Sequence, residues 1–501
     1  MAIRYENRRT VATLDGPVRL RLKVRRCEAA GCARHHRPYR PEAEGAIALP
    51  QHEFGLDVIA LVGALRYREH RSVPEIHHAL RERGVAVCER TVTNLLDRHD
   101  ELVATVVDEP RRAALAVQGR VVLALDGLQP DVGHEVLWVV RDCLSGRVLL
   151  ARPLLSAVAA DLAGLLREVA AAIGVPVAGV VSDGQHSVRC AVQEGLPDVP
   201  HQLCHFHYLR EAALPIFEAD RHAKKELKKQ VRGIRPIERA VERRDDPEAE
   251  AVRGYCAAVR SALTDDGRPP LAAPGLRLHA RLEAIAGSLG RVEGKGGLSK
   301  PLRRIATLIE RGLGRTAALW PDVRRAYSWL RAAAFILANR AGLDASGVQA
   351  RYERLLRAWA GRRGEAGTLA EAVDRFMKVS ASYRPGLFHC YRVDGLPRTN
   401  NALEQLFGAH RHHERRATGR KTASPALVLR GAVRLVAGVV TRARPVTARE
   451  LAVADRERWS ALRASLERRR RARVMRSRFR RDPDAFLARL EQRLFQPTLP
   501  S

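Results

Sequence analysis

The chain has 501 residues, too many for one ordinary domain, and 46% of them are apolar. This composition can supply several hydrophobic cores, and it excludes a globally disordered or collagen-like chain. The 87 Lys and Arg residues outnumber the 56 Asp and Glu residues, which gives a formal net charge of +31. Such an excess favours a polyanionic partner, because Arg and Lys that contact phosphates release condensed counterions. A solvated basic surface with a bias toward Arg codons is the alternative explanation.

The sequence also predicts a compartment. No apolar run approaches the ~20 residues that a membrane span needs. The first residues are rich in Arg and lack the apolar stretch of a secretory signal. Eight scattered cysteines fit a reducing environment better than a disulfide framework. We therefore expect a cytoplasmic protein with no membrane partner, associated with the nucleoid when it is bound to DNA.

Residues 1–50 alternate short β-like runs with basic residues and contain the candidate metal ligands Cys27 and Cys32, and His35 or His36 could supply a further ligand. The C-x4-C spacing lies within that of small zinc sites, and a bound metal can fold a segment too small to fold alone. No second C-x2-C element supplies a fourth ligand. The segment is therefore a candidate Zn²⁺ site. The alternative, which stays open, is that Cys27 and Cys32 are ordinary reduced cysteines beside basic histidines.

Residues 51–112 have a helical pattern with clear punctuation. Ser72 and Glu75 form a capping box around Pro74, and Gly84 follows the end of this helix. A second short helix is predicted to turn Val92, Leu95 and Leu96 inward and to turn Arg90, Thr93, Asn94 and Arg98 outward toward DNA. Such a pair is typical of a helix-turn-helix, although an ordinary helical hairpin has the same pattern. The positive charge of the chain favours the DNA-binding interpretation.

From Arg120 to His207 the sequence predicts strands with interleaved helices. The predicted strands are Val121–Leu125, Val136–Val140, Arg147–Leu155 and Val177–Val181, with a hairpin turn at Ser145-Gly146 and a helix over Asp161–Ile173. A further short strand leads into Cys204-His205-Phe206-His207.

Two of the buried strands are each predicted to end in an acid followed by glycine, at Asp126-Gly127 and Asp183-Gly184. Carboxylates at strand ends can hold hard cations through oxygen, and two cations about 4 Å apart can promote phosphodiester displacement. Each Asp could instead cap the next turn. Asp131, Glu135 and Asp142 also lie near Asp126, where we expect ordinary solvated acids.

A third carboxylate follows much later, in the segment from Thr399 to Glu404. Thr399 or Asn400 is a natural N-cap, which puts Glu404 about one turn into a helix and on one face with Asn400 and Asn401. Leu403, Leu406 and Phe407 are expected on the opposite side. The helix dipole alone favours an acid at this position, so a structural role is the alternative.

Three signatures together suggest a family: the strand-borne Asp126 and Asp183, Cys204-x-x-His207, and Thr-Asn-Asn-x-x-Glu ending at Glu404. In their order and spacing the sequence resembles bacterial insertion-sequence transposases of the DDE type, whose catalytic domain is ribonuclease H-like and is found in Mutator-like families. The resemblance covers roughly residues 115–440. Relatives carry an all-helical insertion domain between the second and third acids, where this sequence has a long helix-rich block.

The resemblance implies a fold class of multidomain α/β plus α. A ribonuclease H-like mixed sheet with a large all-helical insertion would be preceded by a small zinc-like segment and a helix-turn-helix. The implied domains are 1–50, the basic candidate zinc segment; 51–112, the helix-turn-helix; 115–207, the first part of the ribonuclease H-like core; 208–395, the helical insertion, with breaks at Asp265–Pro270 and Gly294–Gly297; 396–443, the last part of the core with the Glu helix; and 444–501, a basic helical tail.

The resemblance also implies an activity and its residues. Asp126, Asp183 and Glu404 would ligate two Mg²⁺ or Mn²⁺ ions, the enzyme would hydrolyse phosphodiesters at element ends, and the 3′-OH would attack target DNA. Cys204 and His207 match the Cys-x-x-His element of the family and would pack near the site, contact DNA or bind a metal. A structural role is favoured because a thiolate suits Mg²⁺ poorly, and a zinc site with the nearby His201 and His205 stays open. Arg398, Asn400 and Asn401 would also support the site.

The expected partner is double-stranded DNA, both element ends and target, bound by a homodimer or higher oligomer. Arg411, Arg415 and Arg416 are expected to face phosphates, although a solvated basic loop would look the same. Two other functions compete with the transposase. One is a transposase-derived DNA-binding regulator without catalysis, and the other is a related metal-dependent nuclease that cuts without joining.

Overall fold

A computed structural model describes residues 2–33, 35–41, 43–129, 135–155, 157–420 and 425–495. Asp131 lies outside the described residues. The chain divides into two compact units, one formed by Met1–Ala178, Cys190–Asp198 and Asn401–Ser501, the other by Gly179–Arg189 and Val199–Asn400. Of the helices in the described part of the chain, none combines the length and apolarity that crossing a membrane requires.

The strands and α-helices alternate irregularly along the chain. In chain order they are β1 Ala2–Thr13, β2 Gly16–Arg26, β3 Pro38–Tyr39, α1 Glu44–Ile47, α2 Leu56–Tyr67, α3 Val73–Glu82, α4 Glu89–Val106, α5 Asp108–Gln118, β4 Val121–Leu128, β5 Val136–Asp142, β6 Val148–Leu154, α6 Ala159–Ile173, β7 Val177–Ser182, α7 His186–Gly195, β8 His201–Leu203, α8 His205–Ala212, α9 Leu214–Gln230, α10 Ile234–Ala240, α11 Pro247–Thr264, α12 Pro274–Gly296, α13 Lys300–Thr316, α14 Trp320–Ala338, α15 Ala345–Gly361, α16 Ala370–Tyr383, α17 Asn401–Thr418, α18 Pro425–Ala443, α19 Ala448–Ala452, α20 Arg456–Arg481 and α21 Pro483–Phe495.

The N-terminal segment forms a three-stranded sheet in the order β1-β2-β3. Strands β1 and β2 are 12 and 11 residues long and pair antiparallel, so the short β-like runs expected here belong to one long hairpin. Val11, Leu22 and Val24 are buried, and the basic residues beside them are exposed, as the two-residue period of a strand requires.

The helical punctuation predicted for the next segment is confirmed. Ser72 N donates to Glu75 Oε2 at 2.7 Å, and Glu75 N donates to Ser72 Oγ at 3.4 Å, which together close the capping box of α3. Gly84 follows the helix with a φ of +76°, a conformation that glycine adopts without a Cβ clash. The helix after it, α4, has 18 residues and is not the short helix that we expected.

One hydrophobic core joins early and late parts of the first unit. Leu96 of α4 and Tyr67 of α2 pack in it together with Ala437 of α18, Leu451 of α19 and Trp459 of α20. The first part of the segment 444–501 therefore packs on the predicted helix-turn-helix, because Val446, Leu451, Ala454 and Trp459 are buried in this core.

The central sheet is mixed, with the strand order β6-β5-β4-β7-β8. β4, β5 and β6 pair antiparallel, whereas β7 and β8 pair parallel. The hairpin at Ser145-Gly146 is confirmed, since Gly146 N donates to Asp142 O at 2.9 Å and has a φ of +72°. β7 ends at Ser182 immediately before Asp183, as predicted.

The expected end of β4 is wrong. The strand continues through Gly127 to Leu128, and Asp126 pairs with Val139 inside the ladder. The cause is the partner strand β5, whose Trp138 and Leu137 pair with Gly127 and Leu128 and so carry the ladder past the glycine.

The block 208–395 is helical, as expected, and carries two hydrophobic cores of the second unit. Helix α11 ends at Thr264 and α12 begins at Pro274, which confirms the break at Asp265–Pro270. The second predicted break is too early, because α12 runs through Gly294 to Gly296. It stops only at Gly297, where φ is +80°.

Candidate functional site

In the first unit, helix α17 contacts strand β4, so the structure brings together the elements that carry two of the predicted acids. Glu404 lies in the first turn of α17, and Asp126 lies in β4; both side chains are half-buried. Leu403 and Phe407 are buried on the helix, as expected, while Leu406 is only half-buried. The Asp126 carboxylate accepts a hydrogen bond of 2.7 Å from Gly127 N.

The third predicted acid, Asp183, belongs to the second unit. It is half-buried, and its Oδ1 accepts from Gln185 N at 2.9 Å in the turn that leads into α7. Asp183 lines an open pocket of about 540 Å³. The other charged or titratable residues of this pocket are His186, Arg189, His207, Arg210, Glu211 and Tyr383.

Tyr383 holds the turn that follows Asp183. Its hydroxyl lies 2.9 Å from Glu211 Oε2, to which it donates, and 3.3 Å from Asp183 O. Arg189 stacks 4.2 Å above the ring and donates to Ser382 O. Burial raises the pKa of Tyr383, and the hydrogen bond to Glu211 raises it further. Sequence reasoning missed Tyr383 and Glu211, since nothing local in the chain signals their approach to Asp183.

The Cys-x-x-His element divides into a buried and an accessible part. Cys204 is completely buried at the N-terminus of α8, and Asn400 N donates to its Sγ at 3.4 Å. Arg398 O accepts from His205 N at 3.0 Å, and its guanidinium donates to Leu337 O and Ala338 O. These contacts are consistent with a structural role for Cys204, Arg398 and the buried Asn400. His207, in contrast, lines the pocket of Asp183, and Asn401 is exposed.

Two neighbouring histidines have structural contacts. His205 Nε2 lies 2.7 Å from Leu387 O, and His201 Nε2 lies 2.8 Å from Ser182 Oγ. Burial lowers the pKa of each to about 4, so both imidazoles are neutral at pH 7. Neutral imidazoles could bind zinc, but these nitrogens already have protein partners.

The four candidate zinc ligands lie close together in the sequence after β2, where backbone hydrogen bonds join their segment. His35 N donates to Cys32 O at 2.8 Å, and His36 N donates to Cys27 O at 3.0 Å. Across the described ranges of the chain, no group of three or more His, Cys, Asp or Glu is arranged to hold a metal ion. The zinc site and the three-carboxylate centre both remain predictions.

The predicted DNA-binding residues are largely accessible. Arg411, Arg415 and Arg416 are exposed, but they lie on α17 and not on the basic loop given as the alternative. In the predicted helix-turn-helix, Arg90 and Asn94 are exposed and Thr93 is half-buried. The prediction that Arg98 points outward is wrong. Only 13% of its side chain is exposed, and it donates to Glu101 at 2.8 Å, because Glu101 is buried beside it on α4.

The expectation of solvated acids near Asp126 is wrong for Asp142. This side chain is completely buried, and it accepts hydrogen bonds from Val122 N, Ser145 N and Gln118 Nε2. These hydrogen bonds lower its pKa despite burial. Asp142 therefore builds the β5–β6 turn. Glu135 is also largely buried and pairs with Arg469 at 3.3 Å.

No protein-family model matches the chain, and no curated protein matches it either.

Proposed function

We propose that this chain is a DNA transposase of the DDE type, with a ribonuclease H-like core built on the five-stranded sheet. The observation that carries the proposal is the contact of α17 with β4. It joins elements far apart in the sequence, each bearing an acid that the resemblance independently names, Asp126 and Glu404. The sheet order supports it further, because β7, which precedes Asp183, is the neighbour of β4.

The side chains suit divalent cations in their chemistry. Asp126, Asp183 and Glu404 all offer carboxylate oxygen, the donor that Mg²⁺ and Mn²⁺ prefer, and all three are half-buried. When bound, such ions lower the pKa of attacking water and stabilise the leaving oxygen. Toward the substrate, His207 and Arg210 in the pocket of Asp183 would contact the DNA phosphates, and the Tyr383–Glu211 contact would keep Asp183 oriented.

The exposed arginines of α17 support a DNA partner. Arg411, Arg415 and Arg416 lie on the solvent face of the same helix that begins beside Glu404. A strip of guanidinium groups binds phosphates in a salt-dependent way without reading sequence. Arg90 and Asn94 on α4 would supply contacts to base edges, which is how a helix-turn-helix discriminates among sequences.

One observation favours a second candidate, a DNA-binding regulator without catalysis. Arg90, Arg411, Arg415 and Arg416 are exposed on α4 and α17, and a basic surface of this kind binds DNA without any divalent ion. Such a protein would use the same basic surfaces and would bind DNA equally well without divalent ions.

A plasmid assay tests the proposal. The reading frame with its flanking DNA is incubated with purified protein and Mg²⁺ or Mn²⁺, and cleavage and joining at the flanks are sequenced. Asp126→Asn, Asp183→Asn and Glu404→Gln should each abolish both products while DNA binding persists. Glu293→Gln is the matched control, because Glu293 is exposed on α12 in the second unit.

The products separate the candidates. Joined products identify a transposase, and cut but unjoined ends identify a nuclease. Binding with neither product, in either metal, would overturn the proposed catalysis in favour of the regulator. Full activity in any one of the three variants would remove that residue from the metal centre.

A further inference from the structure

A second and larger pocket lies entirely within the first unit. Its volume is about 860 Å³, and its walls come from the start of α3, the face of α4, α18 and the last turn of α17. Ser72 and Glu75 line it from α3, and Thr93 lines it from α4. The pocket therefore opens beside the two helices that the sequence predicts as a helix-turn-helix.

Arginine is the main charged residue type that lines this pocket. Four arginines line it: Arg66 and Arg434 at the buried floor, Arg416 and Arg420 exposed at the rim. Glu75 is the one carboxylate among its described lining residues. The Glu75 carboxylate lies 3.8 Å from the Arg416 guanidinium, and both side chains are about half exposed, so this ion pair is weak.

The floor of the pocket is held in place by contacts within the first unit. Arg66 Nη1 donates to Ala417 O at 3.0 Å, which anchors the end of α17 on α2. Arg434 lies 3.6 Å from Asp100 and 3.7 Å from Asp97, too far for good hydrogen bonds. The 3.6 Å contact joins Arg434 Nε to Asp100 Oδ2, so this guanidinium is directed toward the two buried carboxylates.

From this geometry we infer that the pocket is a phosphate-binding site for the backbone of duplex DNA. This inference rests on the proposed DNA partner, and it names one place where the backbone of that DNA is bound. Arg416 and Arg420 have the planar fork that pairs with phosphate oxygens. The pocket lies at the start of α3, and the first helix of a helix-turn-helix commonly crosses the DNA backbone.

The position of the pocket couples DNA binding to the proposed catalytic helix. Glu404 lies in the first turn of α17, and Arg416 lies in its last turn. A phosphate held at Arg416 therefore fixes the same helix that carries the acid. Glu75 has the opposite effect, since its carboxylate repels a phosphate at the rim.

The test measures the affinity for a fluorescently labelled duplex of arbitrary sequence by anisotropy over a range of salt concentrations, without divalent ions. The double variant Arg416→Gln/Arg420→Gln should weaken binding at least about tenfold. It should also lower the slope of log affinity against log salt by about 0.9 for each lost contact. Glu75→Gln should tighten binding about threefold, because glutamine preserves the capping box and removes the repulsion.

Arg449→Gln is the matched control, since Arg449 is exposed on α19 in the same unit and does not line the pocket. It should leave both the affinity and the slope nearly unchanged. All four exchanged side chains are at or near the surface, so circular dichroism should show folded variants.

Each alternative result has a distinct meaning. If the wild type binds duplex but the double variant matches it in affinity and slope, the pocket is not a DNA site and the proposed function stands. If the wild type binds no duplex at any salt, both proposals fail. If inorganic phosphate or a mononucleotide binds in an Arg416-dependent way while duplex affinity is unaffected, the occupant is a small anion and the DNA assignment is overturned.

Discussion

Glu101 joins three helices of the first unit, and its neutralisation should destabilise that unit severely. The carboxylate on α4 is 1% exposed and accepts from Arg98 at 2.8 Å, from Arg430 of α18 at 2.9 Å and from Trp459 Nε1 of α20 at 3.0 Å. Glu101→Gln keeps the shape but leaves one acceptor oxygen where the native residue has two, and it removes the charge.

The size of the effect follows from the arginines that remain. Arg98 and Arg430 are only 13% and 15% exposed, so water compensates little for the lost partner. Removing one member of a buried ion pair costs about 3–5 kcal/mol. Arg430 keeps an ion pair of 3.1 Å with Asp97, which places the expected loss at the lower end, about 3 kcal/mol of the free energy of unfolding.

Urea unfolding followed by tryptophan fluorescence measures this loss, because Trp459 contacts the exchanged residue directly. Glu457→Gln is the control: it makes the same chemical change at an exposed position of α20 and should alter stability by less than about 0.5 kcal/mol. A loss below about 1 kcal/mol in Glu101→Gln would refute the view that this carboxylate holds α4, α18 and α20 together.

Two further predictions concern how stability depends on pH and what Gly184 contributes to the Asp183 turn. Burial lowers the pKa of His410 to about 4 and that of His413 to about 2. Since only the unfolded chain then takes up their protons, the free energy of unfolding should fall as the pH drops below about 6.5, by about 1.4 kcal/mol per pH unit for each histidine. Urea midpoints at pH 7 and pH 5 check this, and a midpoint equal at both would contradict it. Gly184→Ala should destabilise the Asp183 turn by about 1–3 kcal/mol, because φ is +87° and the new Cβ would lie 2.8 Å from the Tyr383 ring. Gly297→Ala, with φ of +80° and open space, isolates the backbone contribution in thermal unfolding; equal losses in both variants would exclude the clash.

The fold was predictable where its signals are local. The capping box of α3, the apolar run of β7 and the helical block after His207 depend on residues within a turn or a strand of each other. The end of β4 was not predictable in this way. Its last residues stay in the ladder because β5 pairs with them, and that partner does not show in the strand's own sequence.

The residues of the candidate site were likewise predictable only where their signals are local. Its acids could be found because each follows a recognisable local pattern, and Glu404 does lie one turn into a helix. Tyr383 and Glu211 could not be found, because they reach the Asp183 turn only through the packing of α16 and α8. The acceptor role of Asp142 was hidden for the same reason, since its donors include Gln118 from outside the hairpin.

The structure also changes what the net charge means. Part of the arginine excess is buried and serves the fold, as Arg430 and Arg434 do beside Asp97, Asp100 and Glu101. Such residues cannot release counterions from DNA without breaking the core of the first unit. The DNA hypothesis therefore depends on the smaller exposed set, among which Arg416 and Arg420 line the pocket beside α3 and α4. A net charge of +31 alone suggests a diffuse basic surface, whereas the phosphate site that we infer lies at one pocket of the first unit.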